Sequence, residues 1–576
     1  MDMRIVGFAL VVAVSASIGG AAETPKGMAQ DWTTHHVIFS NPGSEEQAIQ
    51  QGTHDRWLKI VTNPRYIQQQ QRRSKLPDAE STSISRAPAK KRPKNLVTKD
   101  WSEDLGPYGV GIGNFPAIYT TGASSCTDFA VFNTGANGSS SQATIVAFQN
   151  IYSSCGTPTV RWAYNTGAAI DQSVVLYTDG VQVAFAVGSF PATLTILKTA
   201  PGTGSVSSPT TPGAVSASAY PSCTAPCMTT LFYSPGHYQT SLISSPYYDN
   251  GSDTLYVGDG YGLLHKFTNV FNESGSDTAP AEVTTGGWPA SVAPDIGLCS
   301  PVYDATSGNV FVTDYYQFGQ TGYLYAVNSS TGAVTQSGEL TYSSSYLNDA
   351  PLVDSAAGEV YVFVGRDATS ACSGGGNCAR VFQFPTNFTA GASGAQVIVG
   401  TGGEPMLSGA FDNEYYTSDA VAPTGHLYVV GNTGPSNNTL YQIPITNNVM
   451  GAPVAGPVLS TNYTNSLSEQ EGLQVTEFFD VSAAADYIFT SVQSYCSPLS
   501  SSEGCLLGFN VTNPATFSAS TAPTGSTLES GGTSGIVVDN GSSNAQNIYF
   551  STLGTQSCTT SGGTGSCAIQ LSQKNP

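Results

Sequence analysis

Positive charge is almost missing from most of this chain. Of its 20 Lys and Arg, only Arg161, Lys198, Lys266, Arg366, Arg380 and Lys574 lie beyond residue 100, and 14 crowd into the first hundred. Charged residues make up 10% of the 576, too few to furnish the solvent side of long amphipathic helices. The formal charge is −20, so the body is acidic, and an acidic surface repels phosphate backbones. Nucleic acid is therefore not an expected partner. Long apolar runs are also scarce. Ile5–Val14 is the main one, and it is too short to span a bilayer comfortably. With Arg4 ahead of it and Gly19-Gly20-Ala21-Ala22 behind, it reads as a signal peptide, residues 1–22. The expected location is secreted or periplasmic, with no transmembrane segment after cleavage.

Catalytic signatures are lacking as well. There is no Gly-x-Ser-x-Gly elbow, no Walker loop, no His-Glu-x-x-His and no Cys-x-x-Cys-His. The sequence leans away from an enzyme. The six histidines are scattered. His265 and His426 fall in or beside expected strands, where a structural role is the simpler reading. His237 follows Cys223 and Cys227 at a spacing that suits either a metal or a nearby disulfide.

What the chain does have is Gly, Ser, Thr, Tyr and Phe in abundance, the composition of many short strands joined by tight turns. Residues 23–73 carry helix signals: the capping box Ser44-Glu45-Glu46-Gln47, and Asn63-Pro64 opening a helix to Arg73. Residues 74–99 are rich in Ser, Pro, Lys and Arg and read as a linker. From residue 100 onward a repeat emerges: a short apolar strand, an Asp/Asn/Gly turn, a strand of alternating aromatic and β-branched residues, then a third strand. Cys299–Asp304, Gly308–Thr313 and Gly322–Asn328 form one unit. Units start near Phe115, Ser173, Ser245, Ser300, Ala350, Asp419, Phe479 and Gly535. The expected fold is all-β: a single propeller of about eight four-stranded blades over residues 100–576, with seven as the alternative. Lys99–Gly106, with Trp101, has the shape of the outer strand around Trp162, and is expected to complete the last blade and remove its exposed edge.

The stretches Thr254–Leu264 and Gly322–Asn328 resemble the repeat of quinoprotein (PQQ-like) propellers. Asp31–Gly43 resembles the N-terminal stretch of exported bacterial propeller proteins of unassigned function. The first resemblance implies the fold. Quinoprotein dehydrogenases also carry a quinone, a calcium ion and usually a vicinal disulfide. No two cysteines are adjacent here, so no cofactor residue is carried over and no cofactor is evident. Asp249-Asn250-Gly251-Ser252-Asp253 and Asp259-Gly260 offer oxygens to Ca²⁺, and equally the residues that β-turns demand. The metal ligands, like the catalytic residues, stay unassigned.

The 11 cysteines suit an oxidising compartment. Cys126/Cys155, Cys372/Cys378, Cys496/Cys505 and Cys558/Cys567 are candidate pairs, and one of Cys223, Cys227 and Cys299 is left over. The last three candidate pairs fall between second and third strands, which places stapled loops on one propeller face. Asp295, Asp349, Asp419, Glu477 and Asp480 stand near the innermost strands. They are candidates for an acidic ring at the channel mouth that draws a cation or basic ligand, or simply for strand-end chemistry. Two functions follow. One is a monomeric binding module that takes a protein or glycan through its long-loop face. The other is an exported enzyme, a divergent quinoprotein oxidoreductase or a hydrolase or lyase, using the acidic residues.

Overall fold

The computed structural model describes residues 27–73 and 97–573, less 189–190, 235–243, 273–277, 316–320, 342–346, 368–377, 403–404, 434–436, 462–473 and 542–544. The expected signal peptide, residues 74–96 of the expected linker, Cys372 and His237 lie outside the described residues.

Among the described residues the strands form eight blades, antiparallel within each. Their inner strands are Ala117–Thr120, Val175–Leu176, Tyr247–Asp249, Val302–Asp304, Leu352–Asp354, Ala410–Phe411, Thr476–Asp480 and Val537–Asp539. Blade 4 shows the plan: Val302–Asp304, Asn309–Thr313, Leu324–Asn328 and Val334–Gln336 pair in chain order. Its turn explains a recurring Asp-x-x-x-Gly. The Asp304 carboxylate accepts from the Thr306 and Ser307 amides, and Gly308 returns its own N–H to Asp304 O. Asp354 and Gly358 repeat the turn in blade 5. Gly308 at φ +74° and Gly358 at φ +76° take the left-handed conformation that closes it.

Neighbouring blades are joined at the head of their inner strands. Phe115 N donates to Ser173 Oγ, Ser173 N to Ser245 Oγ and Ser245 N to Ser300 Oγ. Ser408 N donates to Asp349 Oδ2, and Val475 N to Ser408 O. Gly535 N donates to Asn114 O, joining blade 8 to blade 1. Val97–Gly106 pairs antiparallel with Gly563–Gln573 as the outer strand of blade 8. There Trp101 is buried against Phe132, Phe148 and Tyr549 and donates to Ile151 O.

One unit boundary differs from the sequence reading. Blade 6 begins at Ala410–Phe411, and Asp419 lies beyond a short helix, Asn413–Thr417, in the connection to Gly425–Asn432. Here the inner strand is followed by a helix instead of an Asp/Asn/Gly turn, so the unit departs from the repeat. The cysteines pair as Cys126–Cys155, Cys223–Cys227, Cys496–Cys505 and Cys558–Cys567; Cys378 is also disulfide-bonded. Cys299 is the buried free thiol.

Candidate functional site

The propeller axis is filled by the protein's own chain. Residues 28–73, read from sequence as a separate helical segment, enter the channel and leave it again. Met28–Gln30 pairs antiparallel with the blade 1 inner strand, Gln30 facing Ile118. The chain turns at Asp31–His36, and Val37–Ile38 runs back parallel to the blade 5 inner strand. Asn41 then bridges to Asp419, and three helices follow: α1 (Glu45–Gln50), α2 (His54–Val61) and α3 (Pro64–Arg73).

Local chemistry fixes this path. Asp31 is fully desolvated, and its Oδ1 accepts from Thr33 N, closing the turn. Trp32 is 2% exposed and donates its indole N–H to Pro246 O. Phe39 is buried, and both of its backbone polar groups bond the Gln69 amide, which ties α3 to the returning strand. Ser44 and Gln47 form the reciprocal cap of α1.

The acidic body receives the basic segment. Arg65 Nη2 donates to Tyr248 O at 2.6 Å and Arg56 Nη2 to Ala356 O at 2.9 Å. Arg73 pairs with Glu477 at 2.8 Å, donates to Asn413 Oδ1 at 2.5 Å and lies over the Tyr416 ring. Burial disfavours the Arg73 cation most, but Glu477, Tyr416 and Asp486 together outweigh it, and the pKa stands above its ordinary value. Arg72 is pushed down by burial and by Arg73 beside it.

His35 and His36 stand at the tip of the turn. Burial pushes both down to about 3, so both rings are neutral at ordinary pH. His35 Nε2 bonds Ser408 Oγ at 3.0 Å, and His36 Nδ1 faces Pro351 O at 3.2 Å. A neutral His36 with Asp349 Oδ1 at 3.7 Å is not an ion pair. The Asp349 carboxyl is itself pushed up by burial.

The five carboxylates singled out from sequence do not meet in one ring. Asp349 and Glu477 reach the channel, the first against His35 and Ser408, the second against Arg73. Asp480 sits at the far end of its inner strand and caps a turn through the Ser482 and Ala483 amides. Asp419 is exposed on the face that carries the three helices. Asp295 is exposed in the loop between blades 3 and 4, at φ +64°. Strand-end acids are needed for turns, which is why they recur without converging. Asp249 and Asp259 likewise cap turns, through Ser252 Oγ and through the Tyr261 and Leu263 amides. His265 is buried between Glu282 and Asp259, which hold its pKa up against desolvation.

Sequence reasoning missed the channel segment itself. Its signal was available: most of the cations stand in the first hundred residues of an otherwise acidic chain, beside the apolar Trp32, Val37, Ile38 and Phe39.

The room left on the axis is small. A cavity of about 40 Å³ remains among Asp31, His35, Arg72, Glu477 and their neighbours. A larger cavity of about 260 Å³ lies between the N-terminal segment and blades 2 and 3, lined by Met28, Ile67, Gln68, Leu176 and Tyr248. Among the described residues one group gathers metal-ligating atoms, Asp412, Glu414 and His426, in blade 6.

No sequence family and no curated protein matches the chain. Among solved structures it is similar to BamB from Moraxella catarrhalis, at 11% identity, over 82% of this chain and 97% of that one, with a TM-score of 0.38. It is similar to the Dos1 propeller at 9% identity, over 84% and 95%, with a TM-score of 0.40. A europium-containing methanol dehydrogenase follows at 11%, over 68% and 76%, with a TM-score of 0.36. At such low identity these likenesses carry no activity to this chain.

Proposed function

We propose that this protein is an exported, monomeric propeller that binds a protein or glycan through its long-loop face, without catalysis. The observation that carries this reading is the unequal finish of the two faces. Connections between first and second strands open on one face, and those between second and third strands on the other. On the first face Arg56, Arg65 and Arg73 anchor α1–α3. The second face carries the Cys496–Cys505 and Cys558–Cys567 staples and keeps Tyr108, Tyr495 and Leu528 exposed. Rigid loops with exposed aromatic side chains suit recognition. The disulfides support an oxidising compartment, and no helix among the described residues is long and apolar enough to cross a membrane.

The enzymatic alternative finds less support. Of the five candidate carboxylates, the two that reach the channel are engaged by the protein's own N-terminal segment. A quinoprotein ancestry remains a reading of the blade repeats alone.

The test is binding of the intact protein to a glycan array and to exported proteins of its own cell, repeated with Tyr108→Glu, Tyr495→Glu and Val421→Glu. Val421 is 72% exposed on the helix-bearing face. Loss in the two tyrosine variants with retention in Val421→Glu is expected. Retention in both tyrosine variants with loss in Val421→Glu would move the site to the other face.

A further inference from the structure

We propose that Asp412, Glu414 and His426 form a site for one divalent transition-metal ion, at the groove between blades 6 and 7. This goes beyond the binding role above and does not depend on it. The three residues come together because a short helix follows the two-residue inner strand of blade 6. Asp412 caps that helix, with Oδ1 accepting from the Tyr415 and His426 amides at 3.0 Å each. Both backbone bonds fall on one oxygen, so Oδ2 is left to face the His426 ring.

The donor atoms are spaced for a cation. His426 Nδ1 lies 2.7 Å from Asp412 Oδ2 and 3.7 Å from Glu414 Oε2, and one donor atom from each residue falls within 4.8 Å of the others. Metal bonds of about 2.1 Å place adjacent donors about 3.0–3.4 Å apart in octahedral or tetrahedral geometry. Small side-chain adjustments bring all three donors onto one ion. The set is also graded in exposure: Asp412 is buried, His426 is 17% exposed and Glu414 is 54% exposed at the side chain. The ion therefore has a route in.

A second, independent feature points to a cation here. Asp486, from the second strand of blade 7, is 6% exposed and lines a cavity of about 190 Å³ with Asp412, Asn413 and Glu414. Its Oδ2 accepts from Asn413 N at 2.5 Å, while its Oδ1 has no hydrogen-bond partner among the described residues. A buried carboxylate oxygen without a donor is costly unless a cation or a metal-bound water meets it. An imidazole with carboxylates suits the borderline ion Zn²⁺, or a small Mn²⁺, better than Ca²⁺, which prefers a larger all-oxygen set.

The test is calorimetric titration of the chelator-washed full chain with Zn²⁺, and in parallel with Mn²⁺ and Ca²⁺. Wild type is expected to take one Zn²⁺ or Mn²⁺. Glu414→Gln and His426→Gln should each weaken Kd at least tenfold, and Asp486→Asn less. Glu414 is exposed enough that its variant keeps the fold, which circular dichroism checks. No stoichiometric uptake, undiminished uptake in Glu414→Gln, or a preference for Ca²⁺ would overturn the assignment.

Discussion

The two faces of this propeller are built by the same blades and finished in opposite ways. One face carries short Asp-x-x-x-Gly turns such as Asp304–Gly308 and Asp354–Gly358. They lie low enough for three helices to pack there, with Arg56 reaching Ala356 O inside one of those turns. The other face carries the connections between second and third strands, two of them closed by Cys496–Cys505 and Cys558–Cys567, while Cys126–Cys155 and Cys223–Cys227 lie on the helix-bearing face. On the covered face the chain's own N-terminal segment adds to two disulfides, and it reaches the full depth of the channel. On the stapled face covalent bonds supply the order, and aromatic side chains stay free. The covered side is therefore part of the core, while the stapled side behaves as surface.

The sharpest way to break this contrast is to truncate one aromatic residue on each side. Trp32 fills the channel and its N–H is satisfied by Pro246 O. Trp32→Ala should cost about 3–5 kcal/mol, because it removes a large buried side chain and strands a carbonyl. Tyr495→Ala, at 39% exposure, should change stability by less than about 0.5 kcal/mol. Urea unfolding of both variants measures the difference. Equal costs would mean that the N-terminal segment is not part of the folded core.

The stapled face should respond at an intermediate level. Opening Cys496–Cys505 by the double change to Ser frees a short loop. The chain-entropy relation gives about 2.5 kcal/mol for a loop of roughly nine residues. Most of that loss should appear as faster proteolysis within 494–503, with α1–α3 protected as before. Cleavage spreading to α3 at the same rate would show that the two faces are not independent.

Much of this architecture was legible in sequence, because blades repeat. The alternation in Asn309–Thr313 and the serines at 173, 245 and 300 recur with enough period to place inner strands. Trp101 could be assigned to the last blade because its strand resembles the one around Trp162. What repetition does not encode was missed. The blade 6 inner strand is followed by a helix where other units have a tight turn, so it does not match the repeat. The channel segment occurs once, and its partners lie about 90 to 400 residues away in sequence, as with Gln30 opposite Ile118 and Arg73 with Glu477. The metal-ligating group escaped for a related reason: Asp412 and Glu414 look like helix-start chemistry, and His426 like a strand residue. Only the fold brings Asp486 beside them.

The smallest expected effect separates two histidine environments. His35 and His36 are held down to about 3 by burial, whereas Asp259 and Glu282 hold His265 up. A histidine kept neutral in the fold but titrating near 6.5 when unfolded contributes stability that is whole above pH 6.5. That contribution drains as pH falls toward 3, since the unfolded chain then binds the extra proton. Asp349 beside them works the other way. Its carboxyl is raised by burial, so acidification relieves a cost that the fold bears at neutral pH. The two opposing trends leave global stability a blunt readout, and the ring signals themselves are the better measure. In NMR of the intact protein, His35 and His36 should hold neutral-ring shifts from pH 8 down to 5, while His265 should hold its proton to a pH above the ordinary imidazole value. Titration of His35 and His36 near 6.5 would mean that water reaches the tip of the channel segment, and that the axis is open where the packing of Trp32 and Phe39 closes it.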